Sequence, residues 1–164
     1  MTTSLVRTRL ATVQDIAAVR ALHERCSPAT LEHRFHVPVA RLPERLMRSL
    51  TVPAHGWSIV AEQHDEVIGH GVAGALSPAT VEVGLLVDDA FQGTGIGTRL
   101  LRDLASSAAD RGFHSLVCSV EPDNESMLPT VRRAGLDGVP TYVDGVVEIM
   151  VPLVAHEAEI QQPA

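Results

Sequence analysis

Residues 91–101 read FQGTGIGTRLL, with glycine at 93, 95 and 97 and then an apolar helical pattern. Glycine loses more backbone freedom on folding than any other residue, so three within five positions need a compensating reason. Close approach of a ligand to bare backbone is one. A dinucleotide loop of the form G-x-G-x-x-G/A does not fit, because counting from Gly93 and Gly95 leads to Thr98 where the third small residue belongs. A Walker-type phosphate loop needs a lysine followed by Ser or Thr, and the chain has no lysine. A strand-to-helix turn without a ligand and an anion cradle stay open. In the cradle, successive amides of the turn and the first amides of the following helix face an anion, such as a pyrophosphate, without a basic side chain.

The bulk numbers narrow the setting. A chain of 164 residues is long enough to bury a core in one domain. With 45% hydrophobic and 20% charged residues it has a globular composition, and no apolar run is long enough to span a bilayer. The opening MTTSLVRTRL lacks a secretory apolar stretch, which gives a cytoplasmic expectation. The net charge is −7, all thirteen basic residues are arginine, and aromatics are 3%. That is too poor a stacking surface for nucleic acid, so neither nucleic acid nor membrane is expected as a partner. Cys26 and Cys118 lie far apart without metal-type spacing and read as reduced packing residues.

Outward from the loop, the hydrophobic period changes along the chain. Leu5 to Leu10 alternates as an opening strand. Thr12 and Asp15 form a capping-box-like start, with Ile16, Ala17, Val19 and Leu22 as a helical stripe. Ser27 and Pro28 open a second helix as N-cap and first residue. Pro43 repeats that device, with Leu42, Leu46, Met47 and Leu50 on one face. WSIVAEQ, VIGHGVAGAL and TVEVGLLV are strands joined by tight turns at HDE and SPA. After the loop, Leu100, Leu101, Leu104, Ala105 and Ala108 mark one helix face, closed by Arg111 and Gly112. HSLVCSV reads as a strand, DNESMLPTVRRAGL as a helix and VVEIMVPL as a final strand. This order predicts an α/β fold, one mixed sheet with helices on both faces, over residues 1–154, and a polar frayed tail over 155–164.

The stretch VEVGLLVDDAFQGTGIGTRLLRDLASSAADRG resembles the central motif of GNAT superfamily N-acetyltransferases, Q/R-x-x-G-x-G/A, filled by Gln92, Gly95 and Gly97. The likeness extends from Leu5 to Leu153. CSPATLEHRF, VEVGLLV, VEPDNESM and YVDGVVEIMVPL are similar to the acetyltransferase domain of bacterial Pat-type protein lysine acetyltransferases. The resemblance implies a GNAT-like fold with a splayed central sheet. It also implies acetyl-CoA as co-substrate, no metal, and transfer of an acetyl group to a primary amine by direct attack in a ternary complex.

The same resemblance assigns residues. Leu85, Leu86 and Val87 would offer their strand edge to the pantetheine arm. The loop Gln92, Gly93, Thr94, Gly95, Ile96, Gly97 and Thr98 would take the pyrophosphate. Asn124 would contact the cofactor arm or the substrate, or serve as an N-cap. A backbone N–H near Leu86 or Val87 would polarise the thioester. A lysine-like amine of pKa about 10.4 is mostly protonated at pH 7, a deficit of about 4 to 5 kcal/mol. A positioned base recovers part of it, and Glu82, which interrupts an apolar strand and matches the Pat-type glutamate, is the candidate. Relatives often carry a tyrosine acid where this chain has Val131, and Pro129 falls inside the expected last helix.

Other polar residues carry weaker signals. His70 fits a strand histidine with satisfied hydrogen bonds better than a cleft residue. His33 and His36 have helical spacing but no evident carboxylate partner for a metal. Tyr142 lies near the final hairpin without a direction. The acceptor is a protein lysine or a small-molecule amine, including an antibiotic. A non-catalytic acyl-CoA sensor is the reading from another class, and a homodimer is left open.

Overall fold

The computed structural model describes residues 5–154; the expected tail at 155–164 lies outside them. The chain forms β1 (Arg7–Leu10), α1 (Ile16–Arg25), α2 (Pro28–Phe35), α3 (Glu44–Thr51), β2 (Gly56–Gln63), β3 (Glu66–Ala75) and β4 (Thr80–Val87). It continues with α4 (Ile96–Asp110), β5 (Ser115–Val120), α5 (Met127–Arg133), β6 (Val139–Val143) and β7 (Val146–Pro152). The strands make one mixed sheet in the order β1-β2-β3-β4-β5-β7-β6. All neighbours are antiparallel except β4 and β5. The expected fold class holds.

Local chemistry sets these elements. His64 and Asp65 both adopt positive φ, +51° and +61°, the two-residue turn whose twist matches a hairpin. Ser27 accepts a hydrogen bond from the Thr30 amide at 3.3 Å as N-cap of α2, with Pro28 in the first turn. All five apolar residues expected on α4 are buried. They pack with Val81, Val83, Leu116, Ile149 and Val151 on one face of the sheet. On the other face Val19, Leu22, Leu31 and Met47 pack against Val60, Val67 and Leu86. Two layers of helix thus enclose the centre of the sheet.

Five expectations needed correction. Ala17 is exposed, and Ala18 packs against the core in its place. Leu46 is exposed on α3, and Pro43 sits at the N-cap rather than inside the helix. The last helix starts only at Met127, so Pro129 lies in its first turn, where its missing N–H breaks no helical bond. Strand β6, the first arm of the expected final hairpin, was given no range of its own. It is an exposed edge strand carrying Pro140, without an alternating apolar pattern. Asp144 and Gly145, at φ +48° and +89°, form the Asp-Gly turn that would have disclosed it.

The decisive topological fact is where β4 and β5 stop pairing. Their parallel register runs Thr80↔Ser115, Val81↔Leu116 and Glu82↔Val117, and goes no further. Beyond it β4 stays with β3 as far as Val87, and β5 stays with β7 as far as Val120. The sheet therefore splits at Glu82.

At the far edge, Asp15 fastens β1 to the start of α1. Its carboxylate accepts from Arg9 Nη2 at 2.8 Å and Nη1 at 2.9 Å and from the Thr12 amide at 2.7 Å. Arg9 holds the carboxyl near pKa 2, below its ordinary 3.8. A depressed acid pKa contributes stability above the unfolded value, and that contribution fades as pH falls toward 2. Asp15→Asn should therefore cost about 1–2 kcal/mol at pH 7, with the difference from wild type nearly gone at pH 2. Urea unfolding at the two pH values checks this.

Candidate active site

Beyond Glu82 the β4 edge facing β5 has no strand partner, and backbone polar groups left this way seek a ligand. The split opens into two adjoining chambers. One, about 610 Å³, is lined by Leu85, Leu86 and Val87 of β4, Gln92, Gly93, Gly95, Gly97 and Thr98 of the loop, and Thr130 and Arg133 of α5. The other, about 370 Å³, is lined by Glu82, Gly84 and Val72 with Cys118 and Ser119 of β5. His33, Arg34, Leu85, Asn124 and Met127 border both.

The glycine loop ends in α4, whose N-cap Gly95 has φ +91° and supplies no side-chain cap. A non-glycine residue would be strained at that φ. The first amides of a 15-residue helix are thus left to the larger chamber. Gly97 is the second helical residue, and a Cβ there would meet only Val87 at 3.8 Å and Thr130 at 3.9 Å. The protein itself tolerates that Cβ, and the volume it would occupy belongs to the chamber. This cradle, its open strand edge and Arg133 suit a long phosphate-bearing group entering between β4 and β5.

The cradle is tied to the α1–α2 corner. Arg25 donates to Asp88 at 2.8 Å and to the Val67 carbonyl at 2.7 Å. Asp89 accepts from the Ser27 amide and hydroxyl, 2.9 and 2.7 Å, and from Thr30 at 2.9 Å. Although burial opposes it, these bonds hold the Asp89 carboxyl below its ordinary pKa. Gln92 donates to Thr30 Oγ1 and to the Val87 carbonyl, both at 3.1 Å. Its side chain is thereby engaged in bracing the loop.

Glu82 sits on the last paired rung and opens into the smaller chamber, where Ser119 Oγ donates to its Oε1 at 3.0 Å. Leu85, Leu86, Val87, Gln92, Gly93, Gly95, Gly97, Thr98 and Asn124 all line the chambers. Thr94 and Ile96 do not. Thr94 bonds the Phe91 carbonyl at 2.5 Å, and Ile96 is buried in the core. Asn124 precedes α5 and accepts from Ser126 Oγ at 2.8 Å, so it is not the helix N-cap. Val131, at the position where the resemblance implied a tyrosine acid, is fully buried.

The remaining candidates also find places. His70 is buried against His23, with no hydrogen-bond partner for Nε2, so it is not the satisfied histidine expected. Burial first, then His23 and Arg34, push its pKa down to about 3, and it lines neither chamber. Tyr142 is exposed on β6, away from both. His33 and His36 do have carboxylate partners, Asp123 at 3.5 Å and Glu121 at 2.8 Å, reaching from α2 to the β5–α5 loop. Among the described residues no group of three or more His, Cys, Asp or Glu side chains is placed to hold a metal. No helix among them is long and apolar enough to cross a membrane.

Sequence reasoning missed Arg34, Thr30, Ser119, Thr130 and Arg133. Arg34 is a contact of α2 with β4, and no local period signals it. The helical spacing of Thr130 and Arg133, three apart, placed them on one face without saying which.

The acetyltransferase (GNAT) family model matches residues 16–136, and the chain belongs to that family. It is an acetyl-CoA-dependent acetyltransferase. The GNAT domain of S. lividans PAT is similar over 90% of each chain, with 28% identity and a TM-score of 0.82. The putative acetyltransferase yncA from Salmonella typhimurium, solved with acetyl-CoA, covers 93% of this chain and 96% of its own at 22% identity and TM-score 0.73. A phosphinothricin acetyltransferase from Sinorhizobium meliloti, solved with AcCoA, covers 97% and 93% at 20% identity and TM-score 0.73. No individual curated protein matches the chain.

Gly97→Val should abolish CoA binding in calorimetry while urea unfolding stays cooperative, because the branched side chain fills the chamber and not the core. Wild-type CoA affinity in this variant would exclude the cradle as the phosphate site.

Proposed function

We propose that the chain transfers the acetyl group of acetyl-CoA to a primary amine, by direct attack in a ternary complex, with Glu82 as general base. The catalytic unit in this reading spans residues 1–154. The observation that carries it is the position of Glu82 on the last β4–β5 rung, beside the open edge and inside the chamber opposite the phosphate cradle. CoA would lie with its phosphates on the amides of residues 93–98 and its arm along Leu85, Leu86 and Val87. Asn124 borders both chambers and would contact the arm or the acceptor.

Direct transfer fits the cysteines. Burial pushes the Cys26 and Cys118 thiols up to about 12, so neither supplies a thiolate at neutral pH. A protein lysine is the acceptor we favour, on the likeness to the S. lividans PAT domain and the Pat-type sequence pattern. Glu82 would take the amine proton as the nitrogen attacks, and the Ser119 hydroxyl would hold its carboxylate in place.

Glu82→Gln should lower kcat/KM at pH 7 by about 10² or more, with CoA affinity nearly unchanged. The deficit should shrink as pH approaches the amine's own pKa, where the amine loses its proton unaided. Wild-type rates at every pH, or a loss independent of pH, would remove Glu82 from the role. Since the chain contains no lysine, prolonged incubation with acetyl-CoA should leave its side chains unmodified. Mass spectrometry checks this, and a side-chain acetyl group would point to hydroxyl or thiol chemistry.

A further inference from the structure

Arg34 has no task in the mechanism above. Arg9, Arg20 and Arg25 are each held by carboxylates. Among the described residues Arg34 has neither an ion pair nor a hydrogen bond, only a cation–π contact with the Phe35 ring at 5.0 Å. Its guanidinium lies flat against β4 because position 84 is glycine; a Cβ there would overlap it. Glu82 shares the chamber without pairing to it. Burial lowers the Arg34 pKa to about 10, against the pull of Glu82, so it is a cation at neutral pH. It borders both chambers, where the acetyl group would sit in the reading proposed above.

A half-buried guanidinium that makes no ion pair or hydrogen bond keeps its donors free for a group entering the chambers. Negative charge that could use those donors develops as a thioester reacts. We propose that Arg34 is a second catalytic residue, donating to the thioester carbonyl oxygen as negative charge develops on it. The inference rests on acetyl transfer and on no particular acceptor. As the amine lone pair forms the N–C bond, the carbonyl π pair moves to oxygen. When the C=O bond re-forms, the C–S bond breaks and CoA leaves as thiolate, while Glu82 takes the amine proton. A donor that binds the oxyanion more strongly than the neutral carbonyl raises kcat rather than lowering KM. The same oxyanion forms when water replaces the amine, so slow hydrolysis of acetyl-CoA reports on Arg34 without a known acceptor.

The test compares Arg34→Gln and Arg34→Lys with wild type, by amine-dependent turnover and by thiol release from acetyl-CoA in water. CoA calorimetry and urea unfolding accompany both. Arg34→Gln should lower both rates about 10²-fold, with CoA affinity within about threefold. Arg34→Lys keeps the charge but not the fork and should recover part of the loss. Unchanged kcat with a raised KM for the amine would make Arg34 an acceptor-binding residue and overturn the proposal. Unchanged thiol release in water would overturn it as well. Should the glutamine variant fail to fold, Arg34→Met, which keeps the length and removes charge and donors, decides, and wild-type thiol release in it refutes the role. If wild type turns over no amine, the amine reading fails, while thiol release still judges Arg34.

Discussion

Three rungs of parallel pairing, Thr80 to Glu82 against Ser115 to Val117, organise this molecule. They are enough to bring β5 beside β4 and too few to close the sheet. The β4–α4–β5 connection then places the start of α4 at the open end of β4. A strand edge without a partner, a helix N-terminus without a side-chain cap and a carboxylate at the last rung all follow from one early end to a ladder. Each would be unfavourable elsewhere in a folded chain. Together they describe the space that an elongated, phosphate-ended thioester needs.

The second organising contact joins the α1–α2 corner to the loop after β4. Asp88 and Asp89 receive Arg25, Ser27 and Thr30, and Gln92 returns a bond to Thr30. This lattice fixes the direction in which α2 leaves the corner, and so carries Arg34 and His33 over the split. Gly84 completes the arrangement by leaving room for a guanidinium where any side chain would stand. A cation and a carboxylate thereby share a small chamber without neutralising one another.

Much of this was legible in the sequence because it depends on local period. The α4 face, the three central strands, the turn at His64–Asp65 and the glycine cradle all declare themselves over a few residues. Glu82 was legible as a charge in an apolar strand. The missed features depend on exposure or on distant contact. β6 carries no apolar alternation, because neither of its faces is covered by a helix. The last helix was read too long because Asn124 and Ser126 look like a first turn, yet spend their hydrogen bond on each other. Arg34 was invisible, since nothing near it in the chain indicates that it will meet a glycine of β4. His70 was misread in the other direction: its strand position was correct, but its ring finds no partner for Nε2.

The split also changes how many edges this sheet has. An ordinary open sheet ends at two margins, and exposed margins invite pairing with other chains. Here β1 and β6 are the outer margins, while β4 and β5 add two inner ones past Glu82. The inner pair face each other across a gap bordered by α2 and α5. An extended segment of a foreign chain would have to thread between those helices to dock there, and a narrow, single-file guest fits that path better than a broad strand with side chains on both faces. The molecule thus keeps a reactive template for backbone pairing while withholding it from its neighbours in a crowded solution.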